Sequence, residues 1–317
     1  MPPPVTASLA MPTARALRAF LDPILSGKGG HAGSLSEAVR PAQRPAGAVG
    51  RVALVGAGPG DPELLTLRAA RLIARADVLV VDHLVGEGVL DLARPGAERL
   101  YVGKEAGHHT LPQEDINHLL VRLAREGREV VRLKGGDPFI FGRGGEEMET
   151  LVEAGVTVEV VPGVTAASGI SAYAGIPLTH RDHAQSVVFT TGFLKDGRLD
   201  LDWSMLARHG QTLVIYMGIS RLAEICAQLV AHGLPSTTPA AVIERGTTHA
   251  QRVVAADLAT LDAKVREAGV RPPALTVVGD VVSLYPRLAW FSAAAPTGAQ
   301  PVPHVGCSGV HPDKPAA

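Results

Sequence analysis

A chain of 317 residues with 46% hydrophobic side chains can bury a large core, and its length suggests about two domains. Thirty basic residues against 31 acidic ones leave a net charge of −1, which argues against a dedicated nucleic-acid binder, and no apolar run approaches the roughly 20 residues that span a bilayer. The two cysteines, Cys226 and Cys307, form neither a disulfide framework nor a metal-type spacing, so a reducing cytoplasm is the expected location.

Residues 1–50 contain seven prolines and many alanines, with a short helical pattern around Ala14–Leu21 and no secretory signal core. They are expected to be a disordered N-terminal extension. Regular alternation begins at Arg51. The pattern predicts a strand over Val52–Val55, a helix over Pro62–Ala76 with Asp61 as N-cap and Pro62 at its first position, and a strand over Val78–Val81. A helix follows over Pro112–Glu126, stopped by Gly127, then a strand over Val130–Leu133, a helix over Gly144–Ala154 closed by Gly155, and a strand over Val156–Val160. A small-residue helix over Val164–Ala174 ends at Gly175-Ile176-Pro177.

Beyond that break the predicted order is strand Ser186–Thr190, helix Trp203–Arg208, strand Thr212–Tyr216, helix Arg221–Ala231 and strand Ala240–Ile243. Gln251–Ala255 is expected to return as an antiparallel hairpin around Gly246, followed by helix Leu258–Ala268 and strand Leu275–Val278. The fold class is therefore α/β. Residues 51–178 are read as an N-terminal α/β domain with a mostly parallel sheet, residues 179–291 as a C-terminal α/β domain with a mixed sheet, and 292–317 as a disordered tail.

Two glycine-bearing turns carry chemistry. Gly56-Ala57-Gly58-Pro59-Gly60-Asp61 follows a strand and opens a helix, the setting of nucleotide-binding loops. Its spacing differs from the dinucleotide fingerprint, Pro59 has no amide donor and Asp61 would repel a pyrophosphate, so a nucleoside without phosphates suits it better; an ordinary tight turn remains the plain alternative. In the second, Leu133-Lys134-Gly135-Gly136-Asp137-Pro138-Phe139-Ile140-Phe141-Gly142-Arg143-Gly144-Gly145-Glu146-Glu147, adjacent glycines at a strand end would let a ligand lie against the backbone. Arg143 and Glu146, three apart, share one face of the following helix.

These two stretches, with Val161-Pro162-Gly163-Val164-Thr165-Ala166-Ala167-Ser168-Gly169, together resemble the tetrapyrrole methylase family over about residues 51–290, most closely its members that methylate uroporphyrinogen III. The resemblance implies S-adenosylmethionine bound in a cleft between two α/β domains. Matching cofactor positions are Pro59, Gly135, Gly136, Asp137, Ile140, Thr165, Ala166, Met217 and Gly246. It implies that Arg143, Glu146 and Arg181 contact a macrocycle fringed with carboxylates, that Asp82 accepts a proton and that Lys104 donates one. Each has a plainer role available: core packing for Met217, a hairpin turn for Gly246, a surface ion pair for either arginine, a cap for Asp82.

The implied reaction methylates uroporphyrinogen III at C2 and C7, through precorrin-1 to precorrin-2, with release of S-adenosylhomocysteine, in a homodimer. Because residues 1–50 are too short and proline-rich for the dehydrogenase and ferrochelatase domain of fused members, the reaction is expected to stop at precorrin-2. The His108-His109 pair and His180 with His183 lack a third ligand at a suitable spacing, and no metal is expected. The rivals are a methylase for a later corrin precursor, an RNA or protein methylase, and a non-catalytic nucleotide-binding module.

Overall fold

Strand β1 (Arg51–Gly56) is buried from its second residue onward because it lies between two neighbours in a parallel sheet covered on both faces. The sheet order is β3 (Glu98–Tyr101), β2 (Val78–Val81), β4 (Glu129–Lys134), β1, β5 (Thr157–Val161). On one face Val55, Leu79, Val131 and Leu133 meet Ala69, Ala70 and Ile73 of α1 (Leu67–Ile73). On the other, Val52, Leu54, Val80 and Val130 meet Ile116, Leu120 and Leu123 of α3 (Gln113–Arg125) and Leu151 of α4 (Gly144–Glu153); a short α2 (Glu87–Leu90) follows β2. Each fully buried Leu, Ile or Val contributes about 1.5–3 kcal/mol, so these two layers hold the site's loops in place.

The structure, a computed structural model, describes residues 49–103, 111–193 and 199–291. The two expected terminal extensions, Lys104 and the His108-His109 pair lie outside the described residues, apart from Val49 and Gly50. Several elements differ from expectation, and the short α2 was not predicted. The helix predicted over Pro62–Ala76 is divided: Asp61 caps a single 3₁₀ turn, Pro62–Leu64, and Thr66 then caps α1 by accepting from the Ala69 amide. Strand β3 was not expected, because Glu98 and Arg99 on an exposed edge give no apolar signal.

The second sheet has the order β6 (Ser186–Thr191), β7 (Gln211–Tyr216), β10 (Ala274–Val278), β8 (Pro239–Glu244), β9 (Arg252–Asp257). Only β6 and β7 pair in parallel, so the sheet is mixed, and β8 with β9 forms the expected antiparallel hairpin. The helices α6 (Trp203–Leu206), α7 (Leu222–Ala231) and α8 (Leu261–Glu267) cover one face. The other is covered by Ala167, Ile170 and Ala174 of α5 (Ala166–Ala174), which follows the first sheet in the chain yet packs on the second; α9 (Tyr285–Leu288) ends the described fold. By side-chain packing the chain passes to the second sheet before Ala166, ahead of the boundary expected at 178.

Candidate active site

The connection leaving β1 runs to α1 on one face of the first sheet, and that leaving β4 runs to α4 on the opposite face. Where neighbouring parallel strands send their chains to opposite sides, a crevice opens beyond their carboxyl ends. The two glycine-bearing turns stand there. They are also fastened to each other: the Gly136 amide donates to Gly58 O at 2.7 Å and the Gly58 amide to Gly136 O at 3.2 Å.

This contact refines the expectation that the glycines simply clear room for a ligand. A Cβ on Gly56 would lie 2.6 Å from Gly136 O and from the Gly163 amide nitrogen, and one on Gly135 would meet Leu84 Cβ at 2.7 Å. Three turns thus approach one another backbone to backbone. Gly136, at φ 68°, and its hydrogen-bonding partner Gly58, at φ 74°, also need glycine's conformational freedom. Asp137 closes the arrangement, its carboxylate accepting from the Phe139 amide at 2.8 Å and the Gly163 amide at 3.0 Å.

From the second sheet, Tyr216 at the end of β7 reaches across. Its hydroxyl lies 2.7 Å from Thr165 Oγ1 and accepts from the Ala167 amide at 2.9 Å, and its ring stands 4.8 Å from that of Phe141. Burial, ahead of the Asp137 charge, holds the Tyr216 phenol above its ordinary pKa, so it remains a neutral hydroxyl. Pro59 packs on α5, because a Cβ on Gly169 would meet the Pro59 ring at 2.5 Å. A Cβ on Gly246 would strike the Ile170 side chain at 2.6 Å, so that glycine admits helix α5. Phe141, Arg143, Met217, Arg245 and Thr247 all have positive φ and are the only non-glycine residues among those described that do. Phe141 stands against Tyr216, Met217 follows it in the chain, and Thr247 meets Asp61, so part of this retained backbone strain lies at the turns described here.

The charged candidates divide into three groups. Arg143 and Glu146 are both exposed and engage each other in a fork, Nε to Oε1 at 2.8 Å and a terminal nitrogen to Oε2 at 2.6 Å. Arg181 is exposed in the turn bridged by His180 and Ala184, before β6 and at the end of that strand opposite Thr191, which pairs with Tyr216. Asp82 ends β2, partly exposed, and its Oδ1 accepts from the His83 amide at 2.9 Å.

Behind Asp82 lies a buried charge cluster. Val130, Arg132 and Lys134 alternate onto one face of β4, where Arg132 and Lys134 are each 2% exposed. The fully buried Glu147 of α4 receives Lys134 Nζ at 2.8 Å, Arg132 Nε at 3.1 Å and Gln113 Nε2 at 3.1 Å, all on Oε1. Burial, then the Arg132 charge, pulls the Lys134 pKa below its ordinary value, with Glu147 opposing. The free end of Arg132 lies 3.8 Å from Asp82 Oδ2.

The donor set fits a nucleoside and not a pyrophosphate. Asp61 is 3% exposed at the turn's end, the preceding Pro59 offers no amide, and the half-exposed Met217 follows Tyr216, whose hydroxyl meets Thr165. No group of three or more metal-ligating side chains occurs among the described residues.

Residues 51–262 match the profile of the tetrapyrrole (corrin/porphyrin) methylases. The chain belongs to the tetrapyrrole methylase family. It is 62% identical over 242 residues to the siroheme synthase of Nitrosospira multiformis, covering 76% of this chain and 51% of that protein. The methylase chain thus spans about half the length of the curated relatives it matches. A uroporphyrin-III C-methyl transferase from Thermus thermophilus, solved as a complex with S-adenyl homocysteine, is 46% identical with a TM-score of 0.64, over 74% of this chain and 94% of the other. A cobalt precorrin-4 methyltransferase is 30% identical with a TM-score of 0.67, over 76% and 99%.

Sequence reasoning named Pro59, Gly135, Gly136, Asp137, Thr165 and Ala166, and the turns that carry these residues lie against one another or against Tyr216. It missed Leu84, Phe141 and Tyr216 around the crevice and the Arg132–Lys134–Glu147 cluster. Arg132 in the middle of an otherwise apolar strand was the available signal.

Proposed function

We propose that this chain is an S-adenosylmethionine-dependent C-methyltransferase that methylates uroporphyrinogen III at C2 and C7, through precorrin-1, to precorrin-2. What carries the reading is the close likeness to a uroporphyrin-III C-methyl transferase, solved as a complex with S-adenyl homocysteine, over nearly the whole of that chain. The convergent turns with nucleoside-compatible chemistry support it independently. S-adenosylmethionine supplies an electrophilic methyl on a sulfonium, whose leaving thioether needs no protonation.

The protein's task is then alignment and proton removal, and proximity can supply several kcal/mol of the barrier. In this reading Pro59, Gly135, Gly136, Asp137, Ile140, Thr165, Ala166, Met217 and Gly246 frame the methyl donor. Asp82 takes the proton that leaves the macrocycle, and Lys104 donates one. Arg143 exchanges the Glu146 carboxylate for one on the substrate, a like-for-like replacement at little cost, because an exposed pair of this kind contributes only about 0–1 kcal/mol. Arg181 is the second arginine offered to a substrate carboxylate. The homodimer, the cytoplasmic location and delivery of the product to sirohaem or cobalamin synthesis belong to the same proposal.

Anaerobic incubation with uroporphyrinogen III and methyl-labelled cofactor should place label in a dimethylated tetrapyrrole; an unlabelled tetrapyrrole would remove the main reading. Arg143→Ala is expected to raise the KM for the tetrapyrrole by about 10- to 100-fold, the worth of a hydrogen-bonded ion contact, while S-adenosylhomocysteine affinity measured by calorimetry stays within about twofold. Equal losses of both would contradict the division between Arg143 and the cofactor turns.

A further inference from the structure

The turn from Gly56 to Asp61 is held from outside its own sheet by one tyrosine that the assigned chemistry leaves unused. Asp61 is almost fully buried. Its Oδ1 accepts from the Glu63 amide at 2.9 Å, and its Oδ2 accepts from the Tyr173 hydroxyl at 2.5 Å. The Asp61 amide donates to Thr247 Oγ1 at 3.1 Å, and the Thr247 amide donates in turn to Gln251 Oε1 at 2.8 Å. Thr247, with φ 66°, lies in the turn between β8 and β9, and Tyr173 lies on α5, which packs on the second sheet. Asp61, through its carboxylate to Tyr173 and its backbone amide to Thr247, therefore joins the β1 turn to two elements of the other half of the fold.

Tyr173 is itself restrained. Its ring stands 5.3 Å from that of Trp290 and 4.9 Å from that of Phe291, and Trp290 Nε1 donates to Ala172 O at 2.8 Å. Burial first, then the hydrogen bond to Asp61 and the negative charges of Asp61 and Glu63, raises the pKa of the phenol, so it stays a donor to the carboxylate. A hydroxyl donating to a buried anion is the stronger kind of hydrogen bond, and it has no substitute once removed.

We propose that Tyr173 is a positioning residue for the methyl donor, acting through Asp61 to fix the Gly56–Asp61 turn against α5 and the β8–β9 turn. The inference rests on the proposed assignment of that turn to S-adenosylmethionine. With the hydroxyl absent, the Asp61 carboxylate keeps only the Glu63 amide, and the turn loses its tie to α5 while the Asp61 amide still donates to Thr247, so Pro59 is held less firmly over Gly169.

Tyr173→Phe keeps the ring contacts and removes only the donor. Calorimetric titration with S-adenosylhomocysteine should show affinity reduced by about tenfold, equivalent to ~1.4 kcal/mol, with the KM for the tetrapyrrole within about twofold of wild type. Trp290→Phe removes the Ala172 hydrogen bond and leaves the Tyr173–Asp61 contact; it should lower the thermal midpoint without changing the affinity. Unchanged affinity in Tyr173→Phe, or an equal loss in Trp290→Phe, overturns the inference. Wild-type protein that does not bind S-adenosylhomocysteine overturns the cofactor assignment and this inference with it, so the two failures are told apart.

Discussion

Glu147→Gln is expected to destabilise the fold by about 3–5 kcal/mol, read as a lowered urea midpoint with an unchanged denaturant slope. The reason is what remains. Oε1 of Glu147 is the shared acceptor for Arg132, Lys134 and Gln113 in a place where the three charged side chains are 2%, 2% and 0% exposed. A neutral amide leaves two buried cations with no buried counter-charge and only the partly exposed Asp82, 3.8 Å from Arg132, as an anionic neighbour. Lys134 has a way out, since burial already lowers its pKa and it can release its proton. Arg132 does not, because a guanidinium stays charged in proteins, so most of the loss is assigned to it. The triple variant Arg132→Met, Lys134→Met, Glu147→Leu should recover much of the stability, since apolar side chains of similar volume often replace a buried ion cluster without penalty. If Glu147→Gln unfolds at the wild-type midpoint, the cluster is not the buried ionic unit that its geometry describes.

That cluster also shows what a sequence reveals and what it conceals. The order of strands and helices was legible because apolar residues repeat with clear periods, as in Val52–Val55 and Ile116–Ala124, and because Gly127 and Gly155 end helices where expected. The three motifs were legible because they are long and contiguous. Concealed were matters set by partners distant in the chain. Gly135 invited a reading as space for a ligand, yet a Cβ there would meet Leu84, and Gly56 and Gly163 are each required by the other's backbone and by Gly136. Arg132 and Lys134 lie two apart on one face of a strand, but their shared acceptor comes from the following helix. Arg143 and Glu146 do meet, but Arg143 does so as the residue before the helix, at φ 57°, which residue type alone does not signal. Tyr173 gave no motif at all.

Asp82→Asn is expected to lower kcat by about 10²- to 10⁴-fold, the usual worth of a positioned proton acceptor, while leaving the fold and S-adenosylhomocysteine affinity close to wild type. The placement of the side chain argues for both halves of that outcome. Asp82 ends β2 with its side chain 36% exposed, so the amide is not forced into a dry interior, and its Oδ1 can still accept from the His83 amide. The following residues are packed against the two glycine-bearing turns: Leu84 fills the space a Gly135 side chain would take, and Gly86 approaches the Gly60 carbonyl so closely that a Cβ would stand 2.8 Å away. A proton acceptor at this point is therefore adjacent to the methyl donor's proposed turns without being part of them. Arg132, reaching from the buried cluster to 3.8 Å from Oδ2, gives Asp82 a fixed cationic neighbour that Asn would not use. Single-turnover measurement of methyl transfer separates the role from its rivals. A carboxylate that only caps the strand end would leave the rate near wild type when replaced by Asn, whereas one that removes the proton leaves binding intact and the rate reduced. A rate within threefold of wild type would take the base assignment away from Asp82.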